Sequence, residues 1–418
     1  MSAAERVAAA NKKVMEIMTK ARPVWIDVKP AIEVVPGMKR NLILIPGPPI
    51  APEDLPIPLK TAVSGAAVHD GLAKNTEEAW EMVLRGEIEI NASQNHSSGN
   101  AASMVMSSTM PVFIVKDMTS GECGYCVSHP GSNPRVLRWG IYGDDVEENL
   151  SFLRGDYAAV LGEAVRKSGG IDLVRILSKT AGMGDENHNR QPVASMALAL
   201  ELVPWLLDVD HPARDRVIKE IAANDRFFLH VMMAGVEAIM TAAKKVPDST
   251  VMVGMGGNGI EFGIQTAATG NRWYTTKAPL ITGTFLKPTT TEKDLLGYLG
   301  DSCVTEVWGL GGMSAIAGPS YLRMTGGTFN DAKERTEKAR QVSLGEHTFA
   351  PVPWDDYRGF PVGVDVRKVV GKNVLPISHG GSALKTGGQA GAGAAELPMD
   401  CFRKAVIGIY ETVKAEEG

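Results

Sequence analysis

The pattern of apolar and polar positions divides the chain into three stretches, of which the first is residues 1–145. An amphipathic helix is predicted over 3–21, and the apolar run "NLILIPGPP" (41–49) is typical of a buried strand that stops at a Gly-Pro turn. "TEEAWEMVLRGE" (76–87) has helical spacing after a threonine N-cap, and "IEINA" and "PVFIVKD" have the composition of strands. The polar segment 93–103 between these strands is a loop or leads into a helix. We therefore predict an N-terminal α/β domain.

The second stretch, residues 146–245, has helical periodicity almost throughout. Strand signals return from residue 249, together with glycine clusters, a capped helix over 330–344 and a helix at the C-terminus. The expected fold is therefore mixed α/β (α+β) and multi-domain. In it, the helical region 146–245 is inserted between the N-terminal domain and a glycine-rich α/β domain, residues 246–418.

Composition narrows the class of protein. The 418 residues are 44% hydrophobic and 22% charged, which is ordinary for a globular protein. A net charge of -5 without a Lys/Arg cluster argues against nucleic acid as the main partner, because phosphate binding needs a concentrated basic surface. The 4 cysteines do not form a disulfide framework, and neither a secretory signal nor a membrane-spanning stretch is recognisable. We expect a cytoplasmic protein with no membrane partner, and its apolar, glycine-rich surfaces favour a homo-oligomer.

The motif "GMGGNG" (254–259) matches the dinucleotide-binding pattern G-x-G-x-x-G. That site needs a helix directly after the glycines. Here apolar residues alternate with polar residues or glycine over 260–265, which is the period of a strand. Asn258 and Gly259 therefore predict a hairpin turn, and we expect no cofactor. Asn258 remains a candidate ligand contact at that turn.

A second glycine-rich segment, "SHGGSALKTGGQAGAGAAELP" (378–398), contains a Lys-Thr pair but lacks the spacing of a P-loop. Two interpretations stay open. The segment is either a flexible loop or a loop whose backbone N–H groups bind an anion. In the second case the ligand contacts come from His379, Gly380, Gly381, Lys385 and Gln389.

The segment "GDSCVTEVWGLGG" (300–312) combines acids with glycines. It is either a strand and glycine turn that pack against a neighbour, or a second loop that faces a ligand. In the second case Asp301 and Glu306 orient the N–H groups of an amide, and Gly311 and Gly312 donate backbone N–H groups.

Cys123 and Cys126 have the spacing of a redox pair, but "VSHPGSNP" follows in place of the helix that lowers a thiol pKa. A second pair that would complete a zinc site is absent from the sequence. Ordinary thiols are therefore expected.

The densest polar stretch is "TAGMGDENHNR" (180–190), which connects two helical segments. Gly182 and Gly184 suit the end of the first helix, and Pro192 suits the start of the second. A capped turn explains one acid or asparagine of this stretch but not the whole run.

The same stretch allows two kinds of site. A divalent metal on Asp185, Glu186 and His188 is the weaker alternative, because three ligands from so short a turn are awkward, and we predict no metal. In the preferred interpretation His188 and Arg190 hold a substrate carboxylate, while Asp185 or Glu186 orients an amide N–H.

The long motifs of this chain resemble the YlbE/AllG family. They are, in order, "ARPVWIDVKPA", "IPGPP", "MGDENHNR", "NGIEFGI", "GNRWYT", "GDSCVTEVWGLGG", "GVDVRKVV" and "GGQAGAG". The resemblance implies a mixed α/β fold with a small helical domain. It also implies a subunit of oxamate carbamoyltransferase in anaerobic allantoin degradation, a part of purine and nitrogen catabolism, working with an FdrA-like subunit and a third subunit. The reaction so implied links carbamoyl phosphate, or phosphate, with a small anionic amide or ureido carboxylate such as oxamate or oxalurate.

Carbamoyl transfer needs an anion site, donors for the developing oxyanion and a base for the attacking nitrogen. His188 is the first choice as base because acids flank it in the sequence. His96 and His379 are the alternatives. Arg190 or Arg272 holds the substrate carboxylate. Two alternatives remain: a stand-alone amidohydrolase or ring-opening hydrolase that uses the same clusters with water, and a non-catalytic subunit that binds substrate or assembles the complex.

Overall fold

The computed structural model describes residues 2–128, 135–189 and 191–415. In these ranges the α-helices are α1 (Ala3–Lys20), α2 (Ala31–Val34), α3 (Ile57–His69), α4 (Thr76–Leu84), α5 (Asp144–Phe152), α6 (Ala158–Lys167), α7 (Leu173–Thr180), α8 (Pro192–Leu207), α9 (Arg214–Ala222), α10 (Phe227–Ala243), α11 (Val304–Val307), α12 (Leu322–Thr325), α13 (Phe329–Val342), α14 (Val366–Lys372) and α15 (Met399–Ala415). The strands are β1 (Pro23–Pro30), β2 (Leu42–Ile45), β3 (Glu89–Ala92), β4 (Ser98–Gly99), β5 (Pro111–Asp117), β6 (Cys123–Val127), β7 (Ile171–Asp172), β8 (Met252–Asn258), β9 (Glu261–Thr266), β10 (Tyr274–Lys277), β11 (Thr282–Phe285), β12 (Leu299–Gly300), β13 (Ser343–Glu346), β14 (Pro361–Val364), β15 (Ile377–Ala383) and β16 (Gln389–Glu396).

The N-terminal part is built on a five-stranded sheet with the order β4-β6-β5-β1-β7, beside the parallel pair of β2 and β3. Helix α10 packs across β5 and β6. A Cβ atom on Gly124 of β6 would lie 2.2 Å from the Ala234 carbonyl oxygen of α10, so only glycine allows this close approach. Nearly every side chain of α10 is buried, which is why its sequence is apolar on all sides.

Helices dominate the middle of the chain, as the periodicity predicts. The sequence predicts a helical run over 213–246, which in the structure is broken between α9 and α10, and these two helices meet at 88°. Among the described helices, no single one is long and apolar enough to cross a membrane. The bent pair of α9 and α10, taken together, has sufficient length and apolar composition.

The C-terminal part contains a four-stranded sheet, β10-β9-β8-β12, and a three-stranded sheet, β11-β16-β15. The predicted hairpin at "GMGGNG" is confirmed, since β8 and β9 pair antiparallel around Gly259, whose φ is +92°. The Asn258 carboxamide oxygen accepts the backbone N–H groups of Ile260 and Glu261 at 3.0 and 2.8 Å and so closes the turn. The expected mixed α/β fold is confirmed, and one hydrophobic core connects all three stretches.

Three local predictions need correction. The segment 378–398 is not a loop, because most of it forms the hairpin of β15 and β16. The segment 300–312 is neither a strand nor an open loop, since it folds into α11 and the start of a 3₁₀ helix, Gly311–Ala317. Finally, Asn75 and not Thr76 caps α4, through a 2.8 Å bond from the Glu78 N–H.

The "CGYC" cysteines lie on strand β6 and are free thiols, which agrees with the rejection of a redox helix. Burial raises the pKa of both thiols. Residues 129–134 of the following "VSHPGSNP" lie outside the described residues.

Candidate functional site

The polar turn after α7 is buried. Gly184 ends the helix with a φ of +92°, and Pro192 is the first residue of α8, as predicted. Each residue from Asp185 to His188 is 0% exposed. The Asp185 carboxylate accepts the N–H of Ala194 at 2.8 Å and so satisfies a free donor at the start of α8. Because water does not reach this turn, its polar groups must find partners in the protein or in a ligand.

Glu306 joins the three segments that the sequence analysis singled out. Its Oε1 atom accepts the N–H of Gly312 at 2.7 Å, the Nδ1–H of His188 at 2.8 Å and the N–H of His379 at 2.9 Å. The Gly311 N–H donates to the Glu186 carbonyl oxygen at 2.7 Å. The three segments therefore meet at Glu306, but the two glycine N–H groups bind the protein's own oxygen atoms.

A second histidine–carboxylate pair lies beside the first. His379 Nδ1 contacts Glu186 Oε2 at 3.1 Å, and the Tyr321 ring lies 4.6 Å from the His379 ring. Glu186, Glu306 and His379 each bring one potential ligand atom within 4.8 Å of the others, so they are the residues of this region that could hold a metal ion. Their hydrogen bonds also describe a buried polar network, in which Glu306 Oε2 and His379 Nε2 have no partner among the described residues.

His188 links this cluster to a cavity of about 320 Å³, which Gly381 and Gln389 also line. Since Glu306 can only accept a hydrogen bond, the His188 Nδ1 atom carries the proton and its Nε2 atom has a lone pair. That Nε2 atom has no hydrogen-bond partner among the described residues. The same holds for Asn189 Nδ2, Gln191 Oε1 and Trp139 Nε1, all on residues that line the cavity. Residues of the cavity wall therefore carry unpaired donors and acceptors on buried atoms.

Three arginines also line the cavity, and the sequence analysis did not identify any of them: Arg138, Arg226 and Arg323. Burial, and then the neighbouring Arg226, lower the pKa of Arg138 to about 10. Burial likewise lowers the pKa of His230, at the same wall, to about 3. Isolated arginines carry little local signal in a sequence. The one hint was that Arg226 directly precedes a long apolar helix.

Other predicted residues lie away from this cavity. Lys385 is exposed and donates to the Lys293 carbonyl oxygen at 2.7 Å. Arg272 lies at a different pocket, 3.8 Å from Glu411 and over the Tyr274 ring. His96 bonds the Pro36 carbonyl oxygen at 2.7 Å, outside the cluster.

Asn258, beyond closing its hairpin, donates to the Pro48 carbonyl oxygen at 3.0 Å. Gly380 borders the cluster through its carbonyl oxygen, 3.5 Å from the Tyr321 hydroxyl. Arg190 lies outside the described residues.

Asp301 belongs to a separate buried network. Its carboxylate accepts the Gly47 N–H and the Gln94 side-chain N–H, both at 2.8 Å, and the Asn100 N–H at 3.3 Å. Burial raises the pKa of Asp301 to about 7 in spite of these bonds. Asp301 follows β12, and its partners lie in the segments that follow β2, β3 and β4. Its hydrogen bonds therefore hold these segments against the sheet that contains β8 and β12.

Comparison with known proteins agrees with this architecture. The family profile described as "Oxamate carbamoyltransferase subunit AllG" matches residues 88–302. The AllG protein of Escherichia coli (strain K12), named oxamate carbamoyltransferase subunit AllG, is 31% identical over 97% of this chain and 98% of its own length. The chain belongs to the AllG family. Another relative in the same organism, the uncharacterized protein YahG, is 32% identical over 98% of this chain and 87% of its own length.

The fold of this AllG-family chain also matches a crystal structure of a conserved protein of unknown function from Enterococcus faecalis V583. The TM-score is 0.95 at 30% sequence identity, and the match covers 99% of both chains. The resemblance seen in the motifs thus extends over the whole AllG-family fold.

Proposed function

We propose that the chain is a subunit of a carbamoyltransferase that links carbamoyl phosphate with a small amide or ureido carboxylate of the oxamate and oxalurate type. The observation that carries this proposal is the set of unpaired donors and acceptors on the cavity wall around His188. An amide group needs both kinds of partner. Asn189 Nδ2 and Trp139 Nε1 offer N–H donors for a carbonyl oxygen, and Gln191 Oε1 accepts an amide N–H.

The histidine supplies the proton acceptor. In the direction of oxamate carbamoylation, the oxamate nitrogen forms a C–N bond to the carbamoyl carbon while the bond from that carbon to the phosphate oxygen breaks. Phosphate leaves with the electron pair, and His188 Nε2 takes the proton lost by the nitrogen. The products are oxalurate and inorganic phosphate. Glu306 holds the ring in the required tautomer and stabilises the charge that the ring gains.

The remaining parts of the proposal follow from the family. Since the relative is named a subunit, we propose that turnover requires the FdrA-like and third subunits, in the cytoplasm and in nitrogen catabolism. Glu186 and His379 support the Glu306 side of the cluster through their 3.1 Å contact.

The test is reconstitution with those subunits and measurement of carbamoyl transfer to oxamate, or of its phosphate-dependent reverse. We expect His188→Ala to lower turnover at least about 100-fold, as loss of a general base does. His211→Ala is the matched control, because His211 lies beside α9 and its side chain contacts Asp156, at 4.0 Å, and the backbone N–H of Ala213.

Two other outcomes would replace the proposal. Release of ammonia or of a ring-opened product by the isolated chain, without phosphate, would show a hydrolase. Unchanged turnover of the His188→Ala enzyme, with retained ligand binding, would assign the chain to substrate binding or assembly.

A further inference from the structure

The cavity beside His188 concentrates positive charge without matching negative charge. Arg138, Arg226 and Arg323 line it, and none of their guanidinium groups has a hydrogen bond or ion pair within the part of the chain that the structure describes. Several other arginines are paired; Arg340, for example, contacts Glu337, Glu346 and Asp355 within 2.8 Å.

The electrostatics show that two of these cations act on each other. Burial has the largest effect on the pKa of Arg138, and the charge of Arg226, which also lowers this pKa, has the second largest. Asp225 raises the pKa, but by less. Two guanidinium groups that repel each other in a partly buried wall are costly to the fold. Within the described ranges, no aspartate or glutamate lines this cavity. Stored repulsion of this kind is the expected signature of a site whose counter-charge arrives with a ligand.

We propose that Arg138 and Arg226 form a subsite for a doubly charged oxyanion of the phosphate class, with Arg323 at its exposed edge. Guanidinium groups bind such oxygen atoms through two parallel hydrogen bonds. A dianion relieves the repulsion between the two arginines more than a singly charged carboxylate does. Arg226 also occupies the N-cap position of α10, so the partial positive charge of that helix end adds to the attraction.

This inference deepens the proposed function, because it assigns the phosphate end of the donor to named residues on the wall that His188 shares. It rests on the proposed function for the identity of the complete ligand. The charge argument, however, depends only on the cavity, so phosphate binding can be measured on the isolated chain without turnover.

The experiment is titration calorimetry of the full chain with inorganic phosphate at fixed ionic strength. We expect Arg138→Gln and Arg226→Gln each to weaken phosphate binding at least about tenfold, as the loss of a charge-assisted contact does. Arg403→Gln is the control, because Arg403 is 60% exposed on α15 and pairs with Asp400. Chloride in place of phosphate tests whether the double charge matters, and we expect no saturable binding of chloride.

Thermal denaturation separates a ligand site from a structural role. Without phosphate, Arg138→Gln should melt at the wild-type temperature or above it, since a repulsive charge has been removed. With phosphate, the stabilisation seen for wild type should be lost. If Arg138→Gln does not fold, Arg226→Gln and Arg138→Lys carry the same test, because lysine keeps the charge but lacks the planar fork.

Two results would overturn the inference: no phosphate binding by the wild-type chain, or wild-type affinity in both glutamine variants. Phosphate binding that needs both arginines, together with absent carbamoyl transfer in the reconstituted enzyme, would overturn the proposed function and leave this subsite in place. Carbamoyl transfer that survives both substitutions would support the proposed function and overturn the assignment of this subsite.

Discussion

The two ring nitrogen atoms of His188 have opposite surroundings. Nδ1 is held at 2.8 Å by Glu306, whereas Nε2 has no partner among the described residues and belongs to a side chain that lines the cavity. A buried acceptor without a donor costs free energy in the absence of a ligand. The arrangement therefore fits a group that receives a proton from a bound molecule, with Glu306 as the residue that positions it.

Glu306→Gln tests this positioning role. The amide keeps the shape of the side chain but loses the charge that favours the Nδ1–H tautomer and the imidazolium. We expect kcat of the assembled enzyme to fall about 100-fold with a change in KM of less than about threefold, because the interaction strengthens as the reaction proceeds.

Glu334→Gln is the control for that variant, since Glu334 is 67% exposed on α13 and pairs with Lys338 in the same helix. A parallel loss of kcat and of folded protein would point to a purely structural Glu306, and unchanged kcat would exclude its positioning role.

Site residues could be predicted where the signal lies in the neighbouring sequence, and not where residues distant in sequence come together. His188, Glu186 and Glu306 stand in unusually polar stretches, so local sequence was enough to select them. Arg138 and Arg226 stand alone in their stretches, and only long-range packing brings them to one cavity. Lys385 attracted attention because glycines surround it, but those glycines belong to the strands and the turn of the hairpin of β15 and β16.

At the scale of elements, the hairpin of β15 and β16 shows why a glycine-rich strand is read as a loop. Its residues are mostly glycine, alanine and serine, which have low strand propensity. The glycines are required by tertiary contact, since a Cβ atom on Gly393 would lie 2.0 Å from the Thr282 carbonyl oxygen of β11. By contrast, α8 and α10 were predictable because their apolar spacing is local.

We expect Gly393→Ala to lower the free energy of unfolding by about 2–4 kcal/mol, because the added methyl group must push β11 away from β16. Urea denaturation monitored by circular dichroism measures this loss. Gly371→Ala is the matched control: it lies in α14 with open space at its Cβ position, and alanine there should be neutral or stabilising by up to about 1 kcal/mol. Equal stability of the two variants would contradict the close approach of these strands.

At the scale of the whole molecule, burial makes stability depend on pH through groups that are not part of the cavity lining. His347 is 1% exposed, and its Nε2–H donates to the Trp308 carbonyl oxygen at 2.8 Å. Burial lowers the pKa of His347 from 6.5 to about 4, so the folded chain holds it neutral while the unfolded chain binds a proton below pH 6.5. Its contribution to stability is therefore complete above pH 6.5 and is lost as the pH falls toward 4.

His347→Gln keeps a donor for Trp308 but cannot titrate. We expect the variant to be less stable at pH 7.5 and to lose about 3 kcal/mol less than wild type between about pH 7 and pH 4, from roughly 1.4 kcal/mol per pKa unit. Comparison of the two chains is essential because Asp301, whose pKa is raised to about 7, acts with the opposite sign over the same interval. Parallel stability curves for wild type and variant would contradict a buried neutral His347.

The long sequence separation of the Glu306 contacts has a consequence for synthesis. His188 leaves the ribosome 118 residues before Glu306, and Glu186 leaves it 193 residues before His379. Since chains emerge and fold from the N-terminus, a nascent chain carries the polar turn without the groups that neutralise and orient it. The buried cluster around Glu306 is therefore completed only when the last quarter of the polypeptide has docked, and unfinished chains lack it.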